Sequence, residues 1–431
     1  MSLGGPLRVA VTALGCKVNH AEMADLAGRL AAAGCEVVSE DQPADVRVLN
    51  SCTVTMQADA TTRQRLRRIR RDDPGAHLVL TGCSVDGNPA TYLATDPDGA
   101  RLLPPGVDAV FANAEKENIA DHVIGLAVQL GAAGVGLPVP SRSRAFIKVQ
   151  DGCNHRCTYC SVWRARGASR TVPIDDVVAL ARAAVDAGHA EVVLTGVDLG
   201  SYGRGRGTSL ACLVGTLLDS VPGARFRLSS VNTNDVTDEL LALNAHPQLC
   251  SHWHMPLQSG SDAVLRAMHR GYRRAQYLRV CAQLRELDSD TEFTSDVMVG
   301  FPGETDEDHD ATLGLITEVA MLDVHAFRYS PRPGTPASAL PAQVTDGAAR
   351  RRSLAVRRAA GLSGRQRRLR ALGRVHDVVW DRVGDTTAHG LTSTYLEVCA
   401  PAGPGVTGGG RATLVADRLD GDVLHGAVTR R

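Results

Sequence analysis

The chain has 431 residues, enough for two or three domains with cores of their own. Lys+Arg and Asp+Glu both number 47, so the bulk charge is nil and any contact with nucleic acid has to come from local patches. Eleven cysteines, unevenly spaced, fit metal ligation in a reducing compartment better than a disulfide framework. No apolar run reaches membrane-spanning length and no secretory leader is read ahead of the first strand, so a cytoplasmic protein without a membrane partner is expected; the sequence leaves the oligomeric state open, with a monomer the expectation.

Periodicity predicts strands at Leu7 to Ala13, Cys35 to Ser39, Asp45 to Asn50, His77 to Gly82 and Val107 to Ala112. Helices interleave them, the first over about Asn19 to Ala33. This alternation makes a small parallel α/β domain over residues 1–130. Cys16, Cys52 and Cys83 each stand just past the carboxyl end of one of its strands. In a parallel sheet those ends line one crevice, so cysteines remote in sequence can meet there and hold a cluster. Each can equally be a small apolar residue at a strand end, as Cys35 and Cys250 are expected to be. The arginines Arg63, Arg65, Arg67, Arg68, Arg70 and Arg71, closed by Asp72 and Asp73, read as well for a solvated helix face as for a phosphate-binding one.

Residues 131–143, rich in glycine and proline, read as a linker. From Arg144 the rhythm restarts, with strands at Ala145 to Gln150, Ala190 to Thr195, Arg225 to Ser229, Cys250 to Pro256, Glu292 to Val299 and Asp323 to Tyr329. Six such βα units predict a partial TIM-like barrel over 144–371, with its active face at the carboxyl ends of the strands. The first strand runs directly into Cys153, Cys157 and Cys160, spaced C-x3-C-x2-C. Three thiolates leave one iron of a [4Fe-4S] cluster open to a small molecule. Zinc would require a fourth ligand, and His155 inside the same tight loop is a poor one. His252 and His254 alternate on a strand and share a face, as core histidines or ligand contacts more than as a metal pair.

The segment Arg350 to Arg374 holds arginines and no acid, and is expected to form a helix leading into a last module. That module, 372–431, reads as short strands with glycine turns, a small β-barrel. Arg367, Arg368 and Arg370 are its expected RNA contacts, and Tyr395 reads as well for a plain barrel residue as for a stacking face.

The Cys153 spacing resembles that of the radical S-adenosylmethionine (SAM) enzymes. The runs Leu14-Gly-Cys-Lys-Val-Asn19, Asn50-Ser-Cys-Thr-Val-Thr55, Thr81-Gly-Cys83 and Gln150-Asp-Gly-Cys153 resemble the methylthiotransferases within that superfamily. The likeness continues through Leu194-Thr-Gly-Val197, His254-Met-Pro-Leu-Gln-Ser-Gly260, Gly300-Phe-Pro-Gly-Glu-Thr305 and Tyr329-Ser-Pro-Arg-Pro-Gly-Thr-Pro336. Leu14 to Asn19 is most similar to the subgroup acting on threonylcarbamoyladenosine of tRNA. The terminal module resembles a TRAM domain, a small RNA-binding β-barrel.

The resemblance implies two [4Fe-4S] clusters, one on Cys16, Cys52 and Cys83 and one on Cys153, Cys157 and Cys160, with SAM bound at the second. It implies a methylthio group inserted at C2 of the adenine in the anticodon loop of tRNA, with electrons from a flavodoxin- or ferredoxin-type donor. Tyr159 is implied beside the SAM adenine. Thr195 and Gly196, Ser229 and Ser230, and Gln258 are expected around the rest of the cofactor, though Gly196 can equally be an ordinary strand-ending glycine and the two serines part of the turn before the next helix. Rival expectations are methylthiolation of a ribosomal-protein aspartate, and an RNA-binding protein that keeps its cluster for structure alone. The chain departs from the family where Ser161-Val-Trp163 replaces an isoleucine-proline stretch, and at Asp198 and Asn232, where the family usually has Asn and an acid.

Overall fold

The computed structural model describes residues 5–53, 56–96, 101–130 and 143–429, so the expected linker lies almost wholly outside it. Two compact units result. One takes in the described residues up to 130 with Gly152–His155 and Cys160–Ala168; the other holds Arg156–Tyr159, the described part of Arg142–Asp151, and the chain from Ser169 onward.

The first unit is built on five parallel strands, β1 (Arg8–Ala13), β2 (Glu36–Val38), β3 (Val46–Ser51), β4 (His77–Gly82) and β5 (Ala109–Phe111), in the order β2-β1-β3-β4-β5. The central strands are apolar on both faces because both faces are covered, as parallel sheets require. Val9, Val46, Val48 and Val79 meet Leu26 and Leu30 of the helix Lys17–Ala32 and Ile119 and Val123 of the helix Asn118–Gln129. Leu49, Leu78, Leu80 and Val110 pack with Leu66 of the helix Met56–Asp72 in a separate cluster. Strand β1 has β2 on one side and β3 on the other, so a topological switch point opens between the carboxyl ends of β1 and β3. Cys16 follows β1, Cys52 follows β3, and Cys83 opens the helix after β4. Gly82 permits that last turn: at φ +104°, a Cβ there would lie 2.4 Å from the Ser51 carbonyl oxygen.

In the second unit β6 (Arg144–Asp151), β8 (Glu191–Gly196) and β9 (Arg225–Leu228) run parallel, with β7 (Arg170–Thr171), a short antiparallel strand the periodicity does not predict, on the outer edge of β6. β10 (His252–His254), β11 (Glu292–Val299) and β12 (Asp323–Arg328) form a second parallel sheet. Parallel bridges from Phe226 to Leu249 and from Ser230 to His254 join the two into the partial six-stranded barrel that was expected. Val192, Leu194, Phe226, Phe293 and Val297 form its core with residues of the surrounding helices, among them Val177, Leu213, Tyr277 and Leu315.

Thr345 caps the helix Asp346–Arg370, accepting from the Ala348 N–H. It leads into β13 (Val375–Val383), β14 (Thr387–Thr392), β15 (Glu397–Pro401), β16 (Arg411–Asp420) and β17 (Val423–Thr429), which close as β13-β14-β15-β17-β16 around Trp380, Val398, Leu414 and Leu424. Closure leaves no sheet edge, which a module this small needs.

Buried charge fastens this closed barrel to the amino-terminal ends of β8 and β9. Glu191 accepts from Arg225 Nε at 2.6 Å and Arg227 Nε at 2.7 Å. Arg225 also donates to the Asp377 carboxylate (2.8 Å) and the Leu391 carbonyl (2.7 Å), and Arg227 to the carbonyls of Thr392 (2.9 Å) and Ser393 (3.1 Å). The Tyr395 ring lies flat on His252, 4.1 Å between centroids, with the Arg227 guanidinium 5.3 Å from its own centroid. Tyr395 was read either as a stacking face for RNA or as a plain barrel residue, and the structure favours the second: one face of its ring is spent on the joint between the two barrels. Arg367, expected to meet RNA, is corrected, being buried and held through Nε to both oxygens of Glu292 at 2.8 and 2.9 Å. Among the described residues no helix is long and apolar enough to cross a membrane.

Candidate functional site

At the switch point of the first unit the three amino-terminal cysteines converge. A Cβ on Gly15, next to Cys16, would lie 2.5 Å from the Cys52 sulfur, and only the glycine hydrogen leaves room for it. Cys83 lies close enough for its charge to act on Cys16. Cys52 and Cys83 are buried and Cys16 is exposed. Although its own surface is open, the protein packed around Cys16 raises its thiol, an effect that Arg166 offsets in part.

A buried polar network surrounds these sulfurs. Asn19 Nδ2 donates to the Leu14 carbonyl (2.7 Å) and the Ser51 carbonyl (3.0 Å), tying the loops that carry Cys16 and Cys52. Arg166 Nε donates to Cys83 Sγ at 3.4 Å, and its terminal nitrogens donate to Asn19 Oδ1 and Glu22 Oε1, both at 2.7 Å. Lys116 Nζ closes the group, 2.5 Å from Glu22 and 3.2 Å from Asn50 Oδ1. Burial depresses the lysine and Glu22 pulls it back. Arg166, Glu22 and Lys116 went unrecognised as site residues. Glu22 stands one turn beyond Asn19 on the same helix face, which was the available signal.

The second cysteine group follows β6. In the first unit, Gly152 takes φ +73°, and a Cβ on it would fall 2.1 Å from the Ala168 carbonyl oxygen. The Cys153 sulfur accepts the His155 N–H at 3.5 Å and the Cys160 sulfur accepts the Val162 N–H at 3.4 Å. In the second unit, Arg270 donates to Cys157 Sγ at 3.6 Å, and Thr158 is bonded through its N–H to Met268 and through its carbonyl to Ala337. Donors aimed at sulfur favour thiolates and suit iron-sulfur ligation, and none of these cysteines is oxidised to a disulfide.

The carboxyl ends of the second unit's strands form a mouth. Thr195 is buried in β8, and Gly196 lies under Gln150, whose Oε1 would sit 2.8 Å from an added Cβ. That oxygen accepts the Asp198 N–H at 2.7 Å. Ser229 directly follows β9 and has a buried hydroxyl with no hydrogen-bond partner among the described residues, an opening for a polar ligand. Ser230 bridges to His254. Gln258, at φ +63°, stitches its loop to β11 by donating to the Asp296 carbonyl and accepting from Met298. Tyr159 packs against the cluster of Val264, Met268, Phe301 and Ala337. His252 and His254 do share a face, both meeting the Thr294 hydroxyl, at 2.9 and 2.8 Å. Burial pushes the Asp296 carboxyl up, but hydrogen bonds from His254 and His325 outweigh it and hold the group below the usual range.

Asp198 and Asn232, the two departures from the family pattern, are partners: Asn232 Nδ2 donates to Asp198 Oδ1 at 3.0 Å. Asn232 Oδ1 in turn accepts from Arg270, so a hydrogen-bonded chain runs from the Cys157 sulfur to the loop after β8.

Most of the first arginine stretch is committed. Arg65 pairs with Glu40, Arg68 and Arg71 with Asp72, and Arg70 with Asp108 and three carbonyl groups. On the long helix, Arg368 is half-buried beside Asp422 and Arg370 is exposed at the end.

A fold and a mouth of this kind define a radical SAM enzyme, and residues 147–316 match the model of the Radical SAM superfamily. Residues 8–103 match that of an uncharacterized protein family, UPF0004. The chain is 41% identical over 343 residues to the threonylcarbamoyladenosine tRNA methylthiotransferase MtaB of Thermotoga maritima, covering 77% of this chain and 76% of that one. It is 33% identical to the enzyme of that name from Chlamydia pneumoniae, over 94% of each chain. It is also 33% identical to the tRNA-2-methylthio-N(6)-dimethylallyladenosine synthase of Frankia alni, over 78% of this chain and 69% of that one. The chain belongs to the methylthiotransferase family of radical SAM enzymes, and membership entails a [4Fe-4S] cluster and SAM. Among solved structures the fold is similar to the radical SAM methyltransferase TsrM of Kitasatospora setae, with TM-score 0.55 and 14% identity over 77% of this chain and 75% of that one.

Proposed function

We propose that this chain is a tRNA methylthiotransferase that acts on N6-threonylcarbamoyladenosine and places a methylthio group at adenine C2 in the anticodon loop. The observation that carries the reading is the convergence of Cys16, Cys52 and Cys83 at one switch point, in a chain that also carries a complete Cys153, Cys157 and Cys160 set. Radical generation alone requires only the second set, and an additional thiol triad suits the handling of sulfur. The relatives named for this nucleoside supply the substrate.

Each triad would hold a [4Fe-4S] cluster, and the cluster with SAM supplies one-electron cleavage of the cofactor when bound. The chain's own residues do the placing. Gly196 gives backbone-close access over β8, Ser229 offers an unused hydroxyl, and Arg270 holds Cys157 while fixing Asn232. Of the three arginines expected to meet RNA, Arg370, exposed at the helix end, would offer a cation to RNA phosphate. The donor would be a flavodoxin- or ferredoxin-type protein. The ribosomal-protein alternative is not favoured, since the relatives reported above act on tRNA nucleosides by name, and a purely structural cluster leaves the second triad without a use.

Nucleoside mass spectrometry of tRNA from cells with and without the gene tests the substrate. Loss of 2-methylthio-threonylcarbamoyladenosine with accumulation of its precursor is expected; unchanged levels would reject it. Iron and sulfide analysis of anaerobically purified protein tests the clusters, with an amount fitting a single cluster rejecting the pair.

A further inference from the structure

We propose that Arg166 is a positioning residue of the amino-terminal cluster, its Nε–H donating to the Cys83 sulfur and setting the reduction potential of the iron held there. This rests on the two-cluster reading above. Three observations carry it. The guanidinium is almost fully buried, with a side-chain exposure of 1%, and its Nε lies 3.4 Å from the Cys83 sulfur. Its remaining nitrogens are taken by Asn19 and Glu22, which fixes the direction of the Nε–H. Asn19 itself bonds the loops of Cys16 and Cys52, so one network reaches all three cysteine loops.

A guanidinium is planar, always charged and directional, and a lysine at this point would lose the fork that grips Asn19 and Glu22 together. Charge-assisted donation to a ligand sulfur withdraws electron density and favours the reduced, more negative state of an iron-sulfur centre. The arginine therefore raises the potential of the amino-terminal cluster. Its place in the chain adds a consequence. Arg166 lies six positions after Cys160, on the short helix Val162–Arg166, so the segment that leaves one cysteine group is anchored by the other. Asn113 Nδ2, which donates to the Ala165 carbonyl at 3.0 Å, holds the same helix.

The test uses the full chain carrying Cys153→Ala, Cys157→Ala and Cys160→Ala, so that only the amino-terminal cluster can form. Redox titration followed by electron paramagnetic resonance reads its midpoint potential, and iron analysis its occupancy. Adding Arg166→Gln is expected to lower the potential and shift the resonance, and Arg166→Lys to recover part of the difference. An Arg166→Gln protein with its cluster in place and the parent's potential would overturn the proposal while leaving the two-cluster reading intact. A parent without iron would remove that reading and the proposal with it. If Arg166→Gln binds no iron, Arg166→Lys decides: a cluster with a lowered potential upholds the role, and a cluster identical to the parent's overturns it. If neither variant binds iron, the residue builds the site and does not tune its potential, which overturns the proposal.

Discussion

Replacing Glu191 with alanine should loosen the terminal barrel from the core. The carboxylate is fully buried between Arg225 and Arg227, each with 1% side-chain exposure, and Arg144 stands 3.9 Å away. Without it, Asp377 is the acid left to Arg225, and Arg227 keeps only carbonyl oxygens. Removing one partner of a buried pair costs about 3–5 kcal/mol because a charge is left uncompensated out of water. At about 1.4 kcal/mol per tenfold, the folded population falls more than a hundredfold relative to the unfolded. Urea unfolding of the full chain, followed by the fluorescence of tryptophans that include the buried Trp380, reads the loss. Limited proteolysis after Arg370 should cut the variant faster. The loss should also be the same at pH 5 and pH 7. Burial alone pushes Glu191 up, but Arg227 and Arg225 hold it far below its ordinary 4.5. A depressed carboxyl contributes above its unfolded value and loses that contribution only as pH falls through the folded one. A loss under about 1 kcal/mol, the worth of an exposed ion pair, would refute the argument.

Glu292 should behave in the opposite sense. Burial raises its carboxyl to about 7 against the pull of Arg367, so its contribution is present below 4.5 and lost as pH rises through 7. Glu292→Gln, which does not titrate, should gain on the wild type by about 3 kcal/mol between pH 4.5 and 8; a difference that ignores pH in urea titrations contradicts this. Asn232→Asp sets two carboxyls at the 3.0 Å contact and should lower turnover at least tenfold, with recovery when Asp198→Asn is added; failure of the double exchange to recover would show that the two residues act separately. Gly152→Ala drives a Cβ to 2.1 Å from a backbone oxygen at a left-handed φ, so iron bound per chain should drop, and full iron content would show that the loop yields.

The places of Cys16, Cys52, Cys83 and Cys153 in the fold were legible because strand ends can be read from apolar periodicity, and a thiol just past such an end has a foreseeable position. Cys16, Cys52 and Cys83 come together for that reason, whatever the helices between them do. Arg367 was misread because an acid-free stretch looks alike whether its arginines face water or acids elsewhere in the chain, and Glu292 lies 75 positions away. Tyr395 stays open between two readings for the same reason: an aromatic in a glycine-rich β segment carries no mark of where its ring faces, and here His252 covers one side. Asp198 and Asn232 looked like two separate departures. Only their contact shows an exchange of acid and amide that keeps the hydrogen bond.

The direction of the joint bears on how RNA is held. Arg144, Glu191, Arg225, His252 and Glu292 open the strands they stand on, and the terminal barrel is fastened at that end through Asp377, Asp381, Leu391 and Tyr395. Gly196, Ser229 and Gln258 lie at the other end. From Glu191 to Gly196 the strand advances about 16 Å at roughly 3.3 Å per residue. On the proposed function, a base treated at the mouth is therefore out of reach of the closed barrel, and Tyr395 has no part in holding it.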